Sequence, residues 1–315
     1  MDADPLDRFE KRPAREGDLD DVVRIMEAAD RALGIPPEPV REDLTWTWHL
    51  PTTDLGRDTR VVRYDGVVVA YGEAFWKHPA EGGPMILTVR AHPEYTAHGI
   101  ESWLFAWGEA LANERGAEGV RASAADRDGP RHDLLRARGY LHVRSGFTMR
   151  KRLEPDEQPG QQPAGVTIRR YEETDERALH EVNEAAFAEH WGFRPTSLES
   201  FNEELHAEDW DPSLVFVATA GDVMVGYVVP FLFEMCGYVA MLGVLREWRG
   251  RGIAKALLRR TFIEFEGRGM GEARLHVDSQ NAHGAVALYE RVGMSVYSSF
   301  DTFDLGTPEA VARSR

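Results

Sequence analysis

The feature of the sequence that most constrains its fold is an internal duplication. Two halves of similar pattern, offset by roughly 153–157 residues, flank the segment 153–165, which is rich in Pro, Gly and Gln. This segment has too few aliphatic side chains to order itself by burial and is typical of an interdomain linker. We therefore expect one domain at 1–152, a linker at 153–165 and a second domain at 166–315; a long surface loop within one domain is the alternative.

Each half shows the same order of predicted elements. A charged segment leads into a helix, at Asp18 in one half and at Asp175 in the other, and the pairs Asp65-Gly66 and Gly221-Asp222 each join two β-rich runs as tight hairpins do. A strand, an amphipathic helix, a strand, a short helix ending in glycine and a last strand follow. This order predicts an α/β (α+β) domain with a mixed sheet, repeated twice.

Composition and charge narrow the class of protein. Hydrophobic residues make up 43% of the 315 residues, enough for real cores, and 37 basic against 53 acidic residues give a net charge of −16. Because such a surface repels phosphate backbones, we expect no nucleic-acid partner.

The single cysteine, Cys236, forms no intrachain disulfide, and we see neither a leader-like start nor an apolar run of membrane-spanning length, so we expect a cytoplasmic protein without a membrane partner. Without an HExxH or CxxC motif, the sequence supports no metal site.

The most informative segment joins a predicted strand at 238–244 to an amphipathic helix. Between them lies a glycine-rich turn, Arg249-Gly250-Arg251-Gly252-Ile253-Ala254, after which apolar residues recur at helical spacing as far as Phe265. A helix N-terminus presents N–H groups without intrahelical partners and the positive end of the helix dipole, which suits a pyrophosphate. The segment is neither a Walker A loop nor a GxGxxG fingerprint, and two glycines alone are equally compatible with a plain tight turn.

Two motifs in the second half resemble those of one enzyme superfamily. The turn from Arg249 to Ala254 resembles the R/Q-x-x-G-x-G/A signature of the GNAT superfamily of acyl-CoA-dependent N-acetyltransferases. The stretch from Asn281 to Met294 is similar to its second motif, with Leu-Tyr-Glu in place and methionine where phenylalanine is usual, and the motifs stand about 30 residues apart in the family's order. The resemblance implies two tandem GNAT domains with a catalytic second one, a combination similar to the mycothiol synthase group.

The resemblance also implies where the cosubstrate acetyl-CoA binds, without a metal. The strand before the turn would hold the pantetheine, the turn would hold the pyrophosphate, and Tyr289 would act as general acid toward the departing thiolate. Because the ordinary pKa values of a phenol and a thiol are about 10 and 8.5, a hydrogen bond to the thiolate is easier than full proton transfer; packing in the core is the alternative role. The predicted cofactor-binding residues are Leu242, Gly243, Val244, Arg249, Gly250, Arg251, Gly252, Ile253, Ala254, Lys255, Asn281 and Tyr289.

The sequence leaves several candidates for the general base that accepts a proton from the amine. The mycothiol synthase group implies a glutamate on the strand before the turn, where this chain has Tyr238, and Glu234 lies four residues earlier. His276 and Asp278 alternate on one face of the next predicted strand, and a chain of water molecules is a further alternative. The candidate catalytic residues are therefore Tyr289, Glu234 and Tyr238.

The first half matches the family only at the level of pattern. Thr96 stands where the second half has an arginine, Glu101 places a negative charge beside the retained Gly99, and Leu135 takes the position of the motif tyrosine. We therefore expect a degenerate GNAT-like domain that has a structural role or shapes the substrate cleft, and weak cofactor binding by this half is left open.

The predicted function is that of an acetyl-CoA-dependent N-acetyltransferase that transfers acetyl directly to a primary amine of a small molecule. Trp191 and Arg194, in a predicted loop after the first helix of the second half, are the candidate substrate contacts. One alternative is a mycothiol synthase proper, which acetylates a cysteinyl-glucosaminyl-inositol, and another is a non-catalytic acyl-CoA-binding or sensing module. We expect a monomer or a homodimer.

Overall fold

The computed structural model describes residues 6–155, 157–206, 210–280 and 284–306. The chain divides into two compact units, Met1–Ser145 with Ser298–Arg315 and Gly146–Tyr297. Compared with the expected bounds, the segment 146–152 belongs to the second unit and the segment from 298 onward to the first. The division into two domains at 1–152 and 166–315, joined by a linker at 153–165, stays a prediction.

Both halves of the sequence contain helices and strands in the predicted order. The helices are α1 (Leu19–Ala32), α2 (Val40–His49), α3 (Leu55–Asp58), α4 (Ile100–Glu114), α5 (Gly129–Ala137), α6 (Glu176–Phe187), α7 (Leu198–Leu205), α8 (Ile253–Gly267) and α9 (Ala285–Arg291). The strands are β1 (Glu10–Arg12), β2 (Thr59–Tyr64), β3 (Val67–Phe75), β4 (Met85–Ala91), β5 (Gly119–Ala125), β6 (Leu141–Arg152), β7 (Thr167–Arg170), β8 (Phe216–Ala220), β9 (Val223–Leu232), β10 (Gly237–Val244), β11 (Glu272–Asp278) and β12 (Ser295–Gly306).

The sheet of the first unit has the strand order β1-β2-β3-β4-β5-β12. Strands β4 and β5 pair in parallel, and the other neighbours pair antiparallel. Its last strand is the segment of β12 that pairs with β5 from Phe300 to Gly306. Arg121 of β5 donates two hydrogen bonds of 2.8 Å to the carboxylate of Asp304, which helps to hold this segment of β12 against β5.

The sheet of the second unit has the order β6-β11-β10-β9-β8-β7, with β10 and β11 parallel and the other pairs antiparallel. Its first strand is the segment of β6 from Gly146 to Arg152, which pairs with β11. Helix α8 packs on this sheet with one apolar cluster, and α6 and α7 form another cluster with it. The consecutive residues Tyr227 and Val228 of β9 belong to different clusters, as expected for a strand covered on both faces.

Equivalent ion pairs stand near the start of both units, in keeping with the duplication. Arg12 donates two hydrogen bonds of 2.7 Å to the carboxylate of Asp18. Arg169 likewise donates bonds of 2.6 and 2.7 Å to Asp175, and each aspartate also accepts the backbone N–H three residues earlier. The hydrogen bonds from the arginine are the main reason that the pKa of each carboxyl lies below its ordinary value.

Replacing Asp175 by alanine is expected to lower the free energy of unfolding by about 1–2 kcal/mol at pH 7. Because the folded-state pKa of Asp175 is lowered, its contribution is complete above the unfolded-state pKa of about 3.9 and is lost as the pH falls through the folded-state pKa. Urea titrations at pH 7 and pH 3 should therefore show a difference from the parent protein that shrinks in acid. Asp222→Ala, in an exposed hairpin turn, is the control; an undiminished difference at pH 3 contradicts the ion-pair explanation.

Candidate active site

The two parallel strands at the centre of the second unit separate along their length. Strands β10 and β11 pair at Gly237–Ala273 and Tyr238–Arg274, and then both continue to line a common cavity of about 600 Å³. The register of β10 against β9 shifts after Val239, which marks a β-bulge in the strand beside the opening. Bulges redirect strands next to functional sites, and here the separation leaves room for an extended ligand between two strands.

A glycine turn forms another wall of this cavity. Gly252 is the N-cap of α8 with φ +84°, and Gly250 has φ +77°, values in the left-handed region that favours glycine. No side chain caps this end of the helix, and an added Cβ at either glycine would meet no described heavy atom within 4 Å. The first N–H groups of an α-helix have no intrahelical partner. The turn therefore presents open backbone donors to the cavity.

Most of the predicted cofactor-binding residues come together at this cavity. Arg251 does not line it; its guanidinium lies over the ring of Trp248, 4.5 Å from the centroid. Asn281 lies outside the described residues. The role of each predicted residue toward a cofactor stays a prediction. Those that line the cavity are Leu242, Gly243, Val244, Arg249, Gly250, Gly252, Ile253, Ala254, Lys255 and Tyr289.

Arg249, the first residue of the glycine-rich motif, lines the cavity and also forms hydrogen bonds with two backbone carbonyl groups. Its Nε donates to the carbonyl oxygen of Val244 at 3.1 Å, and its Nη2 donates to that of Ala186 at 2.9 Å. The carboxylate of Glu189 lies 3.8 Å from its Nη1. Because Ala186 lies in the last turn of α6, Arg249 satisfies a carbonyl at the end of that helix and holds it against the end of β10.

Tyr289 of α9 presents a neutral phenol at the cavity. Its side chain is buried, with 9% of the residue exposed, and burial raises the pKa of the hydroxyl to about 12. Within the described ranges, no protein group forms a hydrogen bond with this hydroxyl. It is therefore a proton-bearing donor at physiological pH and is available to a ligand.

Two residues of β11 that were open as the general base, His276 and Asp278, line the cavity, whereas Glu234 and Tyr238 do not. The ring of Tyr238 stacks on Phe233 at a centroid distance of 5.2 Å and meets the His276 ring edge-to-face at 5.6 Å. His276 is exposed toward the cavity, and its pKa is lowered from the ordinary value mainly by loss of hydration next to the sheet and less by the charge of Arg274. Glu234 is exposed in the turn between β9 and β10 and is not among the lining residues. The catalytic roles of Glu234 and Tyr238 stay predictions.

The aromatic residues at the end of α6 and in the loop after it differ in their position relative to the cavity. Phe187 and His190 line the cavity, with ring centroids 4.5 Å apart. Trp191 and Arg194 are half-buried in the following loop and are not among the lining residues, so their contact with substrate stays a prediction. Phe187, His190 and Trp248 are not among the predicted site residues, because periodicity does not separate a residue that lines a cavity from one that packs on a sheet.

The first unit has the same kind of glycine turn at the start of α4, but an ion-pair network occupies the space beside that turn. Gly99 is the N-cap of α4 with φ +75°. Arg131 of α5, which is 5% exposed, donates to the carbonyl oxygen of Val89 near the end of β4 and forms ion pairs with Glu101 at 2.5 Å and Asp128 at 3.1 Å. The start of α4 is thus occupied by an ion-pair network of the protein itself. The equivalent start of α8 in the second unit opens into the cavity.

The described part of the chain contains no group of three or more His, Cys, Asp or Glu side chains placed to hold a metal ion. It also contains no helix with the length and apolar character required to cross a membrane.

The sequence profile, the sequence relatives and the solved structures that this chain resembles all indicate the same family. Residues 177–294 match the sequence profile of the Acetyltransferase (GNAT) family. A mycothiol acetyltransferase of Thermomonospora curvata is 30% identical over 89% of this chain and 91% of its own length. A solved structure of a GCN5-related N-acetyltransferase from Sphaerobacter thermophilus has a TM-score of 0.83 at 29% identity, covering 95% of this chain and 96% of that one.

A tandem GNAT protein from the clavulanic acid biosynthesis pathway shares the fold with a TM-score of 0.72 at 18% identity, over 94% of this chain and 98% of that one. The predicted fold class, two tandem GNAT domains with a mixed sheet, is thereby confirmed. The duplicated architecture and the family match agree with the two motifs of the second half. The chain belongs to the GNAT family and is an acetyltransferase.

Proposed function

We propose that this acetyltransferase transfers an acetyl group from acetyl-CoA to a primary amine of a small molecule, at the cavity of the second unit. The observation that carries the proposal is one continuous cavity that joins the glycine turn of α8 to the opening between β10 and β11. The turn suits a pyrophosphate, and an extended pantetheine arm suits a gap between strands, where it pairs as an added strand does. A volume of about 600 Å³ falls in the range of cofactor sites.

The predicted residues divide between the two ends of this ligand. Leu242, Gly243 and Val244 lie on β10 beside the opening and would hold the pantetheine arm and the thioester. The segment 250–254 would hold the pyrophosphate, with Lys255 adding positive charge. Backbone donors of this kind are fixed before the ligand arrives, so they bind charge without a reorganisation cost.

The contrast between the units supports a single cofactor site. In the first unit, Arg131 and Glu101 already neutralise each other beside the N-cap of α4. An incoming pyrophosphate would have to displace that ion pair and meet the negative charge of Glu101. We therefore assign acyl-CoA binding to the second unit and a structural role to the first.

The chemistry requires a neutral amine that attacks the thioester carbon and a group that stabilises the departing thiolate. We assign the second task to Tyr289, which lines the cavity. With its pKa raised to about 12 against about 8.5 for an ordinary thiol, full proton transfer to the thiolate is uphill by roughly 5 kcal/mol. Tyr289 therefore acts as a hydrogen-bond donor whose bond strengthens as charge develops on sulfur.

Replacing Tyr289 by phenylalanine is expected to lower kcat about 10- to 100-fold while the Kd for acetyl-CoA changes less than about twofold. The reason is that the lost hydrogen bond forms with charge that appears only during transfer. Steady-state kinetics and calorimetry measure the two quantities. Tyr171→Phe is a matched control, because Tyr171 is also 9% exposed but belongs to the other apolar cluster of the unit. An unchanged kcat in the Tyr289 variant would reduce Tyr289 to a packing residue.

The acceptor to test first is the amine of cysteinyl-glucosaminyl-inositol, because curated relatives are named mycothiol acetyltransferase. Tyr238, in the place where that group implies a glutamate, is a departure that makes other primary amines worth including. The purified protein is incubated with acetyl-CoA and each amine, and the N-acetylated product is identified by mass spectrometry with CoA release measured in parallel. Product from cysteinyl-glucosaminyl-inositol supports a mycothiol synthase proper, and product from another amine assigns that acceptor. If no amine yields product, the proposed reaction is contradicted.

A further inference from the structure

The end of helix α6 contributes two aromatic rings to the active-site cavity, those of Phe187 and His190, which we call the aromatic wall. The ring centroids are 4.5 Å apart, and the backbone N–H of His190 donates to the carbonyl oxygen of Phe187 at 2.7 Å, so both rings belong to one turn of the chain. The proposed binding of acetyl-CoA uses neither ring. Trp191 and Arg194, the predicted substrate contacts, follow the wall in the chain. The wall is therefore the part of the cavity that suits the acceptor amine.

The residue before the aromatic wall packs directly on β10. Ala186 is 3% exposed, and a Cβ added to Gly243 would lie 3.2 Å from the Cβ of Ala186. Glycine at position 243 thus allows the end of α6 to approach the strand that would hold the pantetheine arm. The carbonyl of Ala186 lies in the last turn of α6, where carbonyl groups have no partner within the helix. A donor from outside the helix must satisfy it.

Arg249 supplies that donor and connects α6 to the glycine turn. Its Nη2 donates to the carbonyl oxygen of Ala186 at 2.9 Å and its Nε to that of Val244 at 3.1 Å, and these two bonds fix the plane of the guanidinium. The carboxylate of Glu189, which belongs to the turn of the aromatic wall, lies 3.8 Å from Nη1 and also pairs with Arg246. A pyrophosphate that recruited this guanidinium would have to compete with two carbonyl groups and a carboxylate.

A comparison of the two units shows that the glycine turn itself does not require this arginine. Both units begin the helix at a glycine N-cap with a left-handed φ, +75° at Gly99 and +84° at Gly252. The first unit has Thr96 at the position of Arg249, and the hydroxyl of Thr96 donates to the carbonyl oxygen of Pro93 at 3.2 Å, within the same turn. Because the turn forms with either residue, what the arginine adds to the second unit is its set of contacts with α6.

We propose that Arg249 is a positioning residue for the acceptor amine. Its bonds hold the aromatic wall over β10, and its guanidinium takes no part in binding the pyrophosphate. The inference rests on the proposed function, because it takes the cosubstrate to occupy the glycine turn and the opening between β10 and β11, which leaves the wall to the acceptor. The backbone N–H groups of the turn and the ammonium group of Lys255 then bind the cosubstrate without Arg249.

Arg249→Ala and Arg249→Lys, made in the full chain, separate positioning from charge. Both variants should raise the KM for the best amine of the panel at least about tenfold, because an ammonium group does not bond two carbonyl groups and a carboxylate in one plane. Both should keep the Kd for acetyl-CoA within about threefold in calorimetry. Loss of a direct bond from the guanidinium to a phosphate would instead cost roughly 10- to 150-fold in Kd. Arg260→Ala, which removes an exposed arginine of α8 that lies over the ring of Phe216 outside the cavity, is the control and should change neither quantity.

Hydrogen exchange without any ligand tests the anchor independently of activity. In Arg249→Ala, the amides of residues 187–194 should exchange at least about fivefold faster than in the parent protein, because the end of α6 opens more often without its outside donor. The amides of β8 should keep their rates, which shows that the sheet is intact. Glu189→Gln, which weakens the ion pair and keeps both carbonyl bonds, is a milder second variant and should shift the KM and the exchange rates in the same direction.

Three results would each overturn the proposal. They are a Kd for acetyl-CoA that rises tenfold or more in Arg249→Ala, which makes the guanidinium a ligand of the cosubstrate, an unchanged KM for the amine, and unchanged exchange at residues 187–194. If the parent protein binds no acetyl-CoA or acetylates no amine, the proposed function fails, and the exchange rates of the ligand-free protein still decide whether Arg249 anchors the end of α6.

Discussion

Replacing Gly252 by aspartate is expected to raise the Kd for acetyl-CoA at least about 100-fold. The N-cap position of α8 borders the cavity of the candidate active site, and its backbone is open on the ligand side. A carboxylate there would stand close to the pyrophosphate, and two unit charges 4 Å apart near a protein surface repel by about 4 kcal/mol. Calorimetry with acetyl-CoA measures the effect.

Two further variants separate charge from backbone strain. Gly252→Asn has nearly the same shape without the charge, and asparagine tolerates the left-handed region better than most residues; its Kd should rise no more than about tenfold. Gly269→Asp introduces the same residue at the same φ of +84°, also with open space around it, but beyond the C-terminal end of α8. It should leave acetyl-CoA binding unchanged. An unaltered Kd in Gly252→Asp would mean that the pyrophosphate lies elsewhere.

The features that the sequence could predict are those encoded by local pattern. The glycine turn is one, because a left-handed φ at Gly250 and Gly252 and an uncapped helix start follow from the residues within a few positions. The duplication is another, since Asp18 and Asp175 stand in equivalent charged segments and form equivalent ion pairs. Both features depend on contacts of short range, where residue type and spacing are sufficient.

The features that the sequence did not predict depend on contacts between distant residues. The pairing of Phe300–Gly306 with β5 is fixed in part by Arg121 and Asp304, which are far apart in the chain. The contact of Gly160 with Arg259 is of the same kind. A Pro- and Gln-rich composition indicates low self-association, but it carries no information on whether a neighbouring helix offers a complementary surface.

The choice of catalytic base shows the same limit within the site. Glu234 has the right chemical type and lies close in sequence to β10, yet its turn leaves it exposed and away from the lining residues. His276 and Asp278 were the two alternatives on the next strand, and both line the cavity where β10 separates from β11. Alternation along a strand identifies which residues share a face, but the opening beside that face is a property of the sheet.

Replacing His276 by glutamine is expected to lower kcat about 100-fold with the best amine of the panel, while the Kd for acetyl-CoA stays the same. A neutral imidazole at the cavity is able to accept the proton that the amine nitrogen loses as it attacks. Glutamine keeps the polarity and approximate size of the side chain but removes that basic nitrogen. Glu234→Gln, measured beside it, should retain kcat; the opposite result would support Glu234 as the base.

The pH dependence follows from the direction of the pKa shift at His276. The groups around its ring are Tyr238, Arg274 on the same strand face, Asp278 two residues further, and Tyr289 at the same cavity. The lowered pKa of His276 makes its imidazole a weaker base than an ordinary α-amine, so removing a proton from the ammonium ion before attack is uphill. We therefore expect His276 to accept the proton only after the neutral amine has begun to bond to the carbonyl carbon.

The amine must accordingly bind in its neutral form, and kcat/KM should rise with pH through the pKa of the amine in the parent protein. The His276→Gln variant should show the same profile at a level lower by a constant factor between pH 6 and 9, because His276 is already neutral over that range. A variant profile that converges with the parent at high pH would instead mean that His276 removes the proton from the ammonium ion. That outcome would require its pKa in the substrate complex to be near neutrality, and thus a ligand-induced change in the environment of Tyr238 and Arg274.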